Sequence, residues 1–171
     1  MNFRRFLTPA AIRLELKTRR YPDGDLAEDF DPMGPKNTER VRESVVAEIT
    51  ELLEATGEVG NPKRLFRDLH DREKRAGTAV GQGIAFPHVR TLQVKSFVMA
   101  FARSVEGLPF GAPDEEPVHL FFAMVAPPYD DKVYLRTYKS LATLLLQPDY
   151  YAQFLSVEDP GEILRTLELV K

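Results

Sequence analysis

His88 stands directly behind Pro87 in the stretch GTAVGQGIAFPHV, residues 77–89. A neutral imidazole is a nucleophile near pH 7, because its unperturbed pKa is about 6.5. It can attack a phosphoryl group when a cation and backbone amides stabilise the charge spread over the phosphoryl oxygens. Pro87 fixes its own φ, lacks an amide proton and pushes Phe86 toward extended backbone. His88 is therefore expected at the end of a strand, on backbone with little freedom, which suits a nucleophile held in one orientation. The alternative is a histidine hydrogen-bonded at a turn, and spacing alone favours that alternative.

The three glycines ahead of it, Gly77, Gly81 and Gly83, match no nucleotide loop. A Walker loop would end in Gly-Lys-Ser/Thr, and a dinucleotide fingerprint would need a third glycine where Phe86 stands. Glycine still permits close backbone approach and positive φ, so a small anion pocket stays open. His70 sits in the charged run HDREK and His119 in an apolar run, and neither forms a short ligand pair with His88. No metal site is expected. His70 is read as a surface residue and His119 as a structural one. There is no Gly-x-Ser-x-Gly elbow for Ser-His-Asp catalysis. The chain has no cysteine, which excludes disulfides, thiolate catalysis and Cys-ligated zinc and fits a reducing cytoplasm. A net charge of −3 without a long basic run argues against nucleic acid as the main partner.

The elements that must carry these residues are legible in outline. With 171 residues the chain is long enough for one domain with a proper core. Ile12, Leu14 and Leu16 alternate with charges and suggest a short half-buried strand. Residues 21–37, rich in proline, glycine and acids, read as a loop or partly disordered insertion. Val41, Val45, Ile49 and Leu52 define one face of a helix over 38–56. Asn61-Pro62 gives a cap and a first helical position for a second helix burying Leu65, Phe66 and Leu69. A short strand is expected at 84–86, another around Phe97, Met99 and Phe101, and a loop from Val105 to Pro117. VHLFFAMVA, residues 118–126, suits a central strand buried on both faces. Helices follow from Asp130 or Asp131 to about Leu146, from Pro148 to near Leu155, and from Pro160, capped by Asp159, with Ile163, Leu164 and Leu167 as its apolar stripe. Strands interspersed with helices give an α/β fold, a mixed β-sheet flanked by helices on both faces. The N-terminus is broken by Thr8, Pro9, Arg13 and Glu15, so neither a signal peptide nor a transmembrane helix is expected.

DREKRAGTAVGQGIAFPHVR, residues 71–90, resembles the active-site segment of fructose/mannitol-type enzyme IIA, the phosphocarrier domains of the bacterial phosphotransferase system. The family pattern is an Arg-Glu pair, a threonine, a glycine pair, an apolar-Ala-apolar triplet and Pro-His. Here these are Arg72-Glu73, Thr78, Gly81 and Gly83, Ile84-Ala85-Phe86 and Pro87-His88. LTPAAIRLELK and GLPFGAPDEEPVHLFFAMVAPP resemble the opening segment and the later strand-loop-strand of the family. The resemblance implies one enzyme IIA domain over 1–171 with an acidic Pro/Gly-rich insertion at about 20–37.

It also implies roles. His88 would accept a phosphoryl group from phosphohistidine on the carrier protein HPr. Arg72 would be the cation beside that group, its guanidinium holding two oxygens in one plane, although a solvated arginine at a helix end remains the alternative. Glu73 would support the site, by orienting a neighbour or capping the glycine turn, with an ordinary surface acid nearly as well supported. Thr78, Gly81 and Gly83 would shape the phosphate pocket. One departure stands out: many members carry a His-Leu pair at the start of the helix after the buried strand, and here the pair is Tyr134-Leu135. A tyrosine hydroxyl can donate a hydrogen bond but is not cationic near neutral pH, so either phospho-His88 is less stabilised or Tyr134 takes the missing place in the phosphate pocket. The leading expectation is a free-standing, cytoplasmic phosphohistidine carrier of the nitrogen-regulatory kind, needing no metal or cofactor and signalling to regulatory proteins. A sugar-specific enzyme IIA passing phosphate to a separate permease component is the second, and a phosphorylation-silent protein-binding module the third.

Overall fold

The computed structural model describes residues 1–169. The last two residues of the expected 1–171 domain lie outside these. The regular elements in chain order are β1 (Ile12–Arg13), α1 (Pro35–Glu54), α2 (Pro62–Arg75), β2 (Ala79–Gly81), β3 (Ile84–Ala85), β4 (His88–Arg90), β5 (Val98–Leu108), β6 (Val118–Ala126), α3 (Asp131–Leu145), α4 (Pro148–Ser156) and α5 (Pro160–Glu168). Proline opens four of the five α-helices described, where a missing N–H costs nothing. Asn61 caps α2 by accepting from Arg64 N, and Asp159 caps α5 by accepting from Gly161 N.

The sheet is mixed, with strand order β1-β5-β6-β3-β2 and β4 also pairing with β6. β6 is central because nearly every residue in it is apolar and buried. It pairs antiparallel with β5 on one side and parallel with both β3 and β4 on the other. β3 and β4 are thus one strand path broken at Phe86-Pro87. Pro87 cannot donate to a ladder, but its carbonyl still accepts from Met124 N at 2.9 Å, so the chain stays beside β6 and resumes pairing at His88.

Adjacent phenylalanines on β6 serve opposite faces, as strand alternation requires. Phe122 meets Phe101 and Phe154 of α4, while Phe121 meets Phe110. α3 and α4 pack on β6, α1 on β5 and α2 on β4, giving helices on both faces. Arg103 is buried within the sheet, and its guanidinium donates to the carbonyls of Leu14, Phe154 and Val157. A charged residue in mid-strand therefore stitches β5 to the N-terminal segment and to the C-terminal end of α4.

Three element boundaries differ from those expected. β1 ends at Arg13, and Leu16 stays alongside β5 through a single bond from its N–H to the Arg103 carbonyl. The acidic segment is irregular only up to Gly34, because Pro35 starts α1 and buried Asn37 ties the loop ends by donating to the carbonyls of Arg20 and Pro32. β5 runs on to Leu108 where a loop was expected. The β5–β6 register shifts between Arg103 and Leu108, with Gly107 at φ 82°, so a bulge absorbs the glycine and the strand continues. No helix among the described residues is long and apolar enough to cross a membrane.

Candidate functional site

His88 is the first residue of β4, half-buried, with Arg72 brought to it from the last turn of α2. Its Nδ1 lies 2.8 Å from the Phe86 carbonyl and its Nε2 lies 3.3 Å from Arg72 Nη2. A carbonyl only accepts and a guanidinium only donates, so the proton resides on Nδ1 and the Nε2 lone pair faces the arginine. Burial lowers the proton affinity of His88; the Phe86 carbonyl opposes it in part, and the charges of Arg72 and Arg90 add smaller pulls downward. The imidazole is therefore neutral at pH 7, with its free lone pair presented to a cation.

Arg72 is itself fixed. Its Nη1 donates to the Ala76 carbonyl, one of the acceptors left over at the end of α2. The other head-group nitrogen is left for His88. Glu73, next along the helix, is 2% exposed. It accepts from Thr78 N at 2.9 Å and from Thr78 Oγ1 at 2.5 Å, closing the turn that leads from α2 into β2. Burial raises its proton affinity, opposed by the two Thr78 bonds and by the charges of Arg42 and Arg72. Glu73 and Thr78 thus sit behind the site, in the turn that sets where β2 begins. Thr78 is buried and its carbonyl accepts from Phe86 N, next to Pro87.

Tyr134, in the first turn of α3, lays its ring over His88, with centroids 4.8 Å apart and planes 31° apart. Burial raises its phenol pKa, so the hydroxyl keeps its proton. Both residues line an open cavity of about 930 Å³, together with Arg72, Arg75, Arg90 and Asp131. Arg72 stands against the imidazole, and Arg75 and Arg90 line the same cavity, which makes it a place for an anionic group.

Gly81 and Gly83 are not part of that cavity. They and Gln82 form the turn between β2 and β3, with φ of 93°, 56° and 78°. All three residues are left-handed, the region in which glycine carries no steric penalty. Asp114 fastens the turn by accepting from Gln82 N at 2.8 Å. His88 lies beyond the far end of β3, and in this structure these glycines build a hairpin. His119 lies near Gly83 and Gly107 and its Nδ1 donates to the carbonyls of Ser104 and Val105, apart from His88. His70 is half-buried against Phe66, with ring centroids 5.5 Å apart and a buried Nε2 lacking a hydrogen-bond partner, rather than lying free at the surface. Among the described residues no group of three or more His, Cys, Asp or Glu is arranged to hold a metal.

Arg75 and Arg90 escaped the sequence reasoning, and Asp131 entered it only as a helix start. The available signal was position: Arg90 follows His88 by two residues on a strand, which places it on the same face. Arg42, from α1, also went unnoticed. Its Nε donates to the Phe110 carbonyl and lies 4.0 Å from Glu73, so it neutralises the buried carboxylate from the far side.

A family model described as phosphoenolpyruvate-dependent sugar phosphotransferase system, EIIA 2, matches residues 36–169. The fructose-specific EIIABC component of Bacillus subtilis is 29% identical over 123 residues, 72% of this chain, which spans 19% of that protein's length. The fructose-specific EIIA component of Haloferax volcanii is 32% identical over 117 residues, covering 68% of this chain and 76% of that one. A nitrogen regulatory protein of Bradyrhizobium diazoefficiens is 32% identical over 116 residues, covering 68% and 74%. The crystal structure of nitrogen regulatory protein IIA-Ntr from Neisseria meningitidis superposes with a TM-score of 0.76 at 27% identity, covering 95% of this chain and 97% of that one. The mannitol enzyme IIA of Escherichia coli, solved in complex with phosphorylated enzyme IIB, shares the fold, with a TM-score of 0.67 at 21% identity over 93% and 94%.

Proposed function

The chain belongs to the phosphoenolpyruvate-dependent sugar phosphotransferase system EIIA 2 family, and from that premise we propose that it is a phosphohistidine carrier whose acceptor is Nε2 of His88. The observation that carries this is the fixed tautomer: Nδ1–H is held by the Phe86 carbonyl while the Nε2 lone pair faces Arg72. The donor is a phosphohistidine of an HPr-like protein. Nε2 attacks phosphorus in line; the donor N–P bond breaks, and its electron pair returns to the donor ring. That ring, protonated on its other nitrogen, leaves as neutral imidazole, and the proton on Nδ1 of His88 stays on that nitrogen, hydrogen-bonded to the Phe86 carbonyl. Arg72 supports the charge spread over the equatorial oxygens. Glu73 and Thr78 hold the turn that positions Arg72 against His88. Tyr134 confines the ring.

Similarity to nitrogen regulatory proteins over nearly the whole fold favours a signalling role in the cytoplasm, with the phosphorylation state of His88 controlling contact with regulatory partners. A second reading, phosphate transfer to a sugar-permease component, draws on the equal identity to a fructose-specific EIIA protein. Both share the chemistry at His88. Incubation with phosphoenolpyruvate, enzyme I and HPr, followed by intact-mass measurement, tests it. One acid-labile phosphoryl group is expected on the wild-type chain and none on His88→Gln. No gain with active donors would overturn the carrier reading and leave a binding module. Transfer onward to an enzyme IIB, or its absence, separates the sugar reading from the regulatory one.

A further inference from the structure

We propose that Arg90 is a second phosphoryl-binding side chain, held away from His88 by Asp131 and released onto the phosphoryl group when His88 carries it. This rests on the carrier reading above and assigns a function to a pair that the reading does not use.

Arg90 and His88 are alternate residues of β4, paired regularly with Ala126 and Met124 of β6. Alternate residues project to one face with Cα atoms about 6.6 Å apart, within the reach of an arginine side chain. Both line the same cavity. In the unphosphorylated chain Arg90 is turned aside, its Nη1 lying 2.7 Å from Asp131 Oδ1. Asp131 is the first residue of α3, the helix whose Tyr134 covers His88. The ion pair therefore ties β4 to α3 across the cavity mouth.

The pair is weak enough to exchange. Its two side chains are 59% and 57% exposed, and such pairs contribute little because water and salt screen them. A phosphoryl group on Nε2 brings a charge of about −1.5 to −2 and three acceptor oxygens, a stronger partner for a planar guanidinium than one carboxylate. Asp131 is not stranded by the exchange, since an acidic residue in the first turn of α3 remains favourably placed at the positive end of the helix. It also gains distance from a like charge. Arg90 makes and breaks no covalent bond. Its movement converts the state of His88 into a change at the exposed rim, where β4 and α3 either are or are not bridged.

The test uses the full chain phosphorylated in two ways: by phospho-HPr, and by phosphoramidate, a small donor that requires no docking. The Arg90 Nε–H resonance, assigned by its loss in Arg90→Lys, is followed by NMR. It is expected to shift on phosphorylation with either donor, and to shift in unphosphorylated Asp131→Asn as the pair is lost. The equilibrium constant for phosphoryl exchange with HPr is expected to fall about tenfold in Arg90→Ala. It should rise about threefold in Asp131→Asn, and by less when Arg90 is also alanine. An Arg90 resonance indifferent to phosphorylation, or Asp131→Asn effects equal in both backgrounds, would overturn the exchange while leaving His88 as acceptor. A wild-type chain that takes phosphate from neither donor would overturn both.

Discussion

Nη2 of Arg72 and Nε2 of His88 lie 3.3 Å apart across a sixteen-residue separation, one from the end of a helix and the other from the start of a strand. Because the guanidinium is anchored at Ala76 through its other arm, it is preorganised for charge that develops on a phosphoryl group. Arg72→Ala is expected to slow phosphoryl acceptance about a hundredfold. Arg72→Lys should recover little, since a point charge cannot hold two oxygens in one plane. Single-turnover transfer from phospho-HPr measures this, and a wild-type rate in Arg72→Ala would remove the residue from the mechanism.

The same contact sets a pH dependence. Burial and the charges of Arg72 and Arg90 hold the His88 pKa below its ordinary value of about 6.5. The nucleophilic neutral ring therefore persists through neutral pH, and the rate of phosphorylation should fall only at acid below that value. Stability follows the same sign. The unfolded chain binds the proton more readily, so stability declines as pH falls from about 6.5 toward the lower folded pKa and then levels. In Arg72→Ala the inflection should move upward, with burial still holding part of the shift. Titration of the His88 ring resonance by NMR reports it, and a wild-type inflection at or above the ordinary value would contradict this account.

Glu73 gives a contrast between two substitutions. Glu73→Ala leaves the buried Thr78 N–H without an acceptor and Arg42 without its neighbouring carboxylate. A loss of about 2–4 kcal/mol is expected from those unpaired groups. Glu73→Gln keeps an acceptor for Thr78 and should lose less than half as much. Urea unfolding of both proteins decides, and equal losses would mean that the charge, not the turn, is what matters.

The helices and the central strand were legible because their signals are local. Asn61-Pro62 and Asp159-Pro160 announce helix starts, and the short, almost wholly apolar run from Val118 to Ala126 suits a strand buried on both faces. The joining of Arg72 to His88 was legible only through family resemblance, since no local pattern tells which strand a helix end will meet. The sequence alone could not place Gly81 and Gly83, because left-handed residues at a hairpin and a phosphate-cradling loop make the same demand for glycine. The pairing of Arg90 with Asp131 was missed because each is an ordinary surface charge by itself, and they become a pair only when α3 returns to β4.

Tyr134 tests what the rim contributes. Its phenol keeps its proton, and its ring lies over His88. If the ring is the working part, Tyr134→Phe should stay within about threefold of wild type, because stacking of this kind is worth about 1 kcal/mol and survives the change. Tyr134→Ala should fall further, as water gains access to the His88 ring. Tyr134→His, which places a second imidazole against the His88 ring, should speed transfer, since imidazole can become cationic near pH 7. A Tyr134→Phe variant as slow as Tyr134→Ala would shift the role to the hydroxyl.

Gly83 separates folding from chemistry. Its φ of 78° is left-handed, and a Cβ there would collide with the Tyr151 hydroxyl. Its carbonyl also accepts from the N–H groups of His119 and Leu120, at 2.8 and 3.0 Å, so the turn cannot shift without loosening β6. Gly83→Ala is expected to lose at least about 1–2 kcal/mol from the backbone conformation alone. In a chain of this size that lowers Tm by about 2–4 °C for each kcal/mol. Tyr151→Phe removes the colliding oxygen and should recover the steric part in the double variant, leaving the backbone part. Phosphorylation of His88, measured well below the melting temperature, should stay within about twofold of wild type, since the turn lies at the far end of β3 and transfer depends on groups placed around Nε2. A strong loss of transfer in a protein that remains folded would return Gly83 to the phosphate site; a loss of stability alone assigns it to the hairpin.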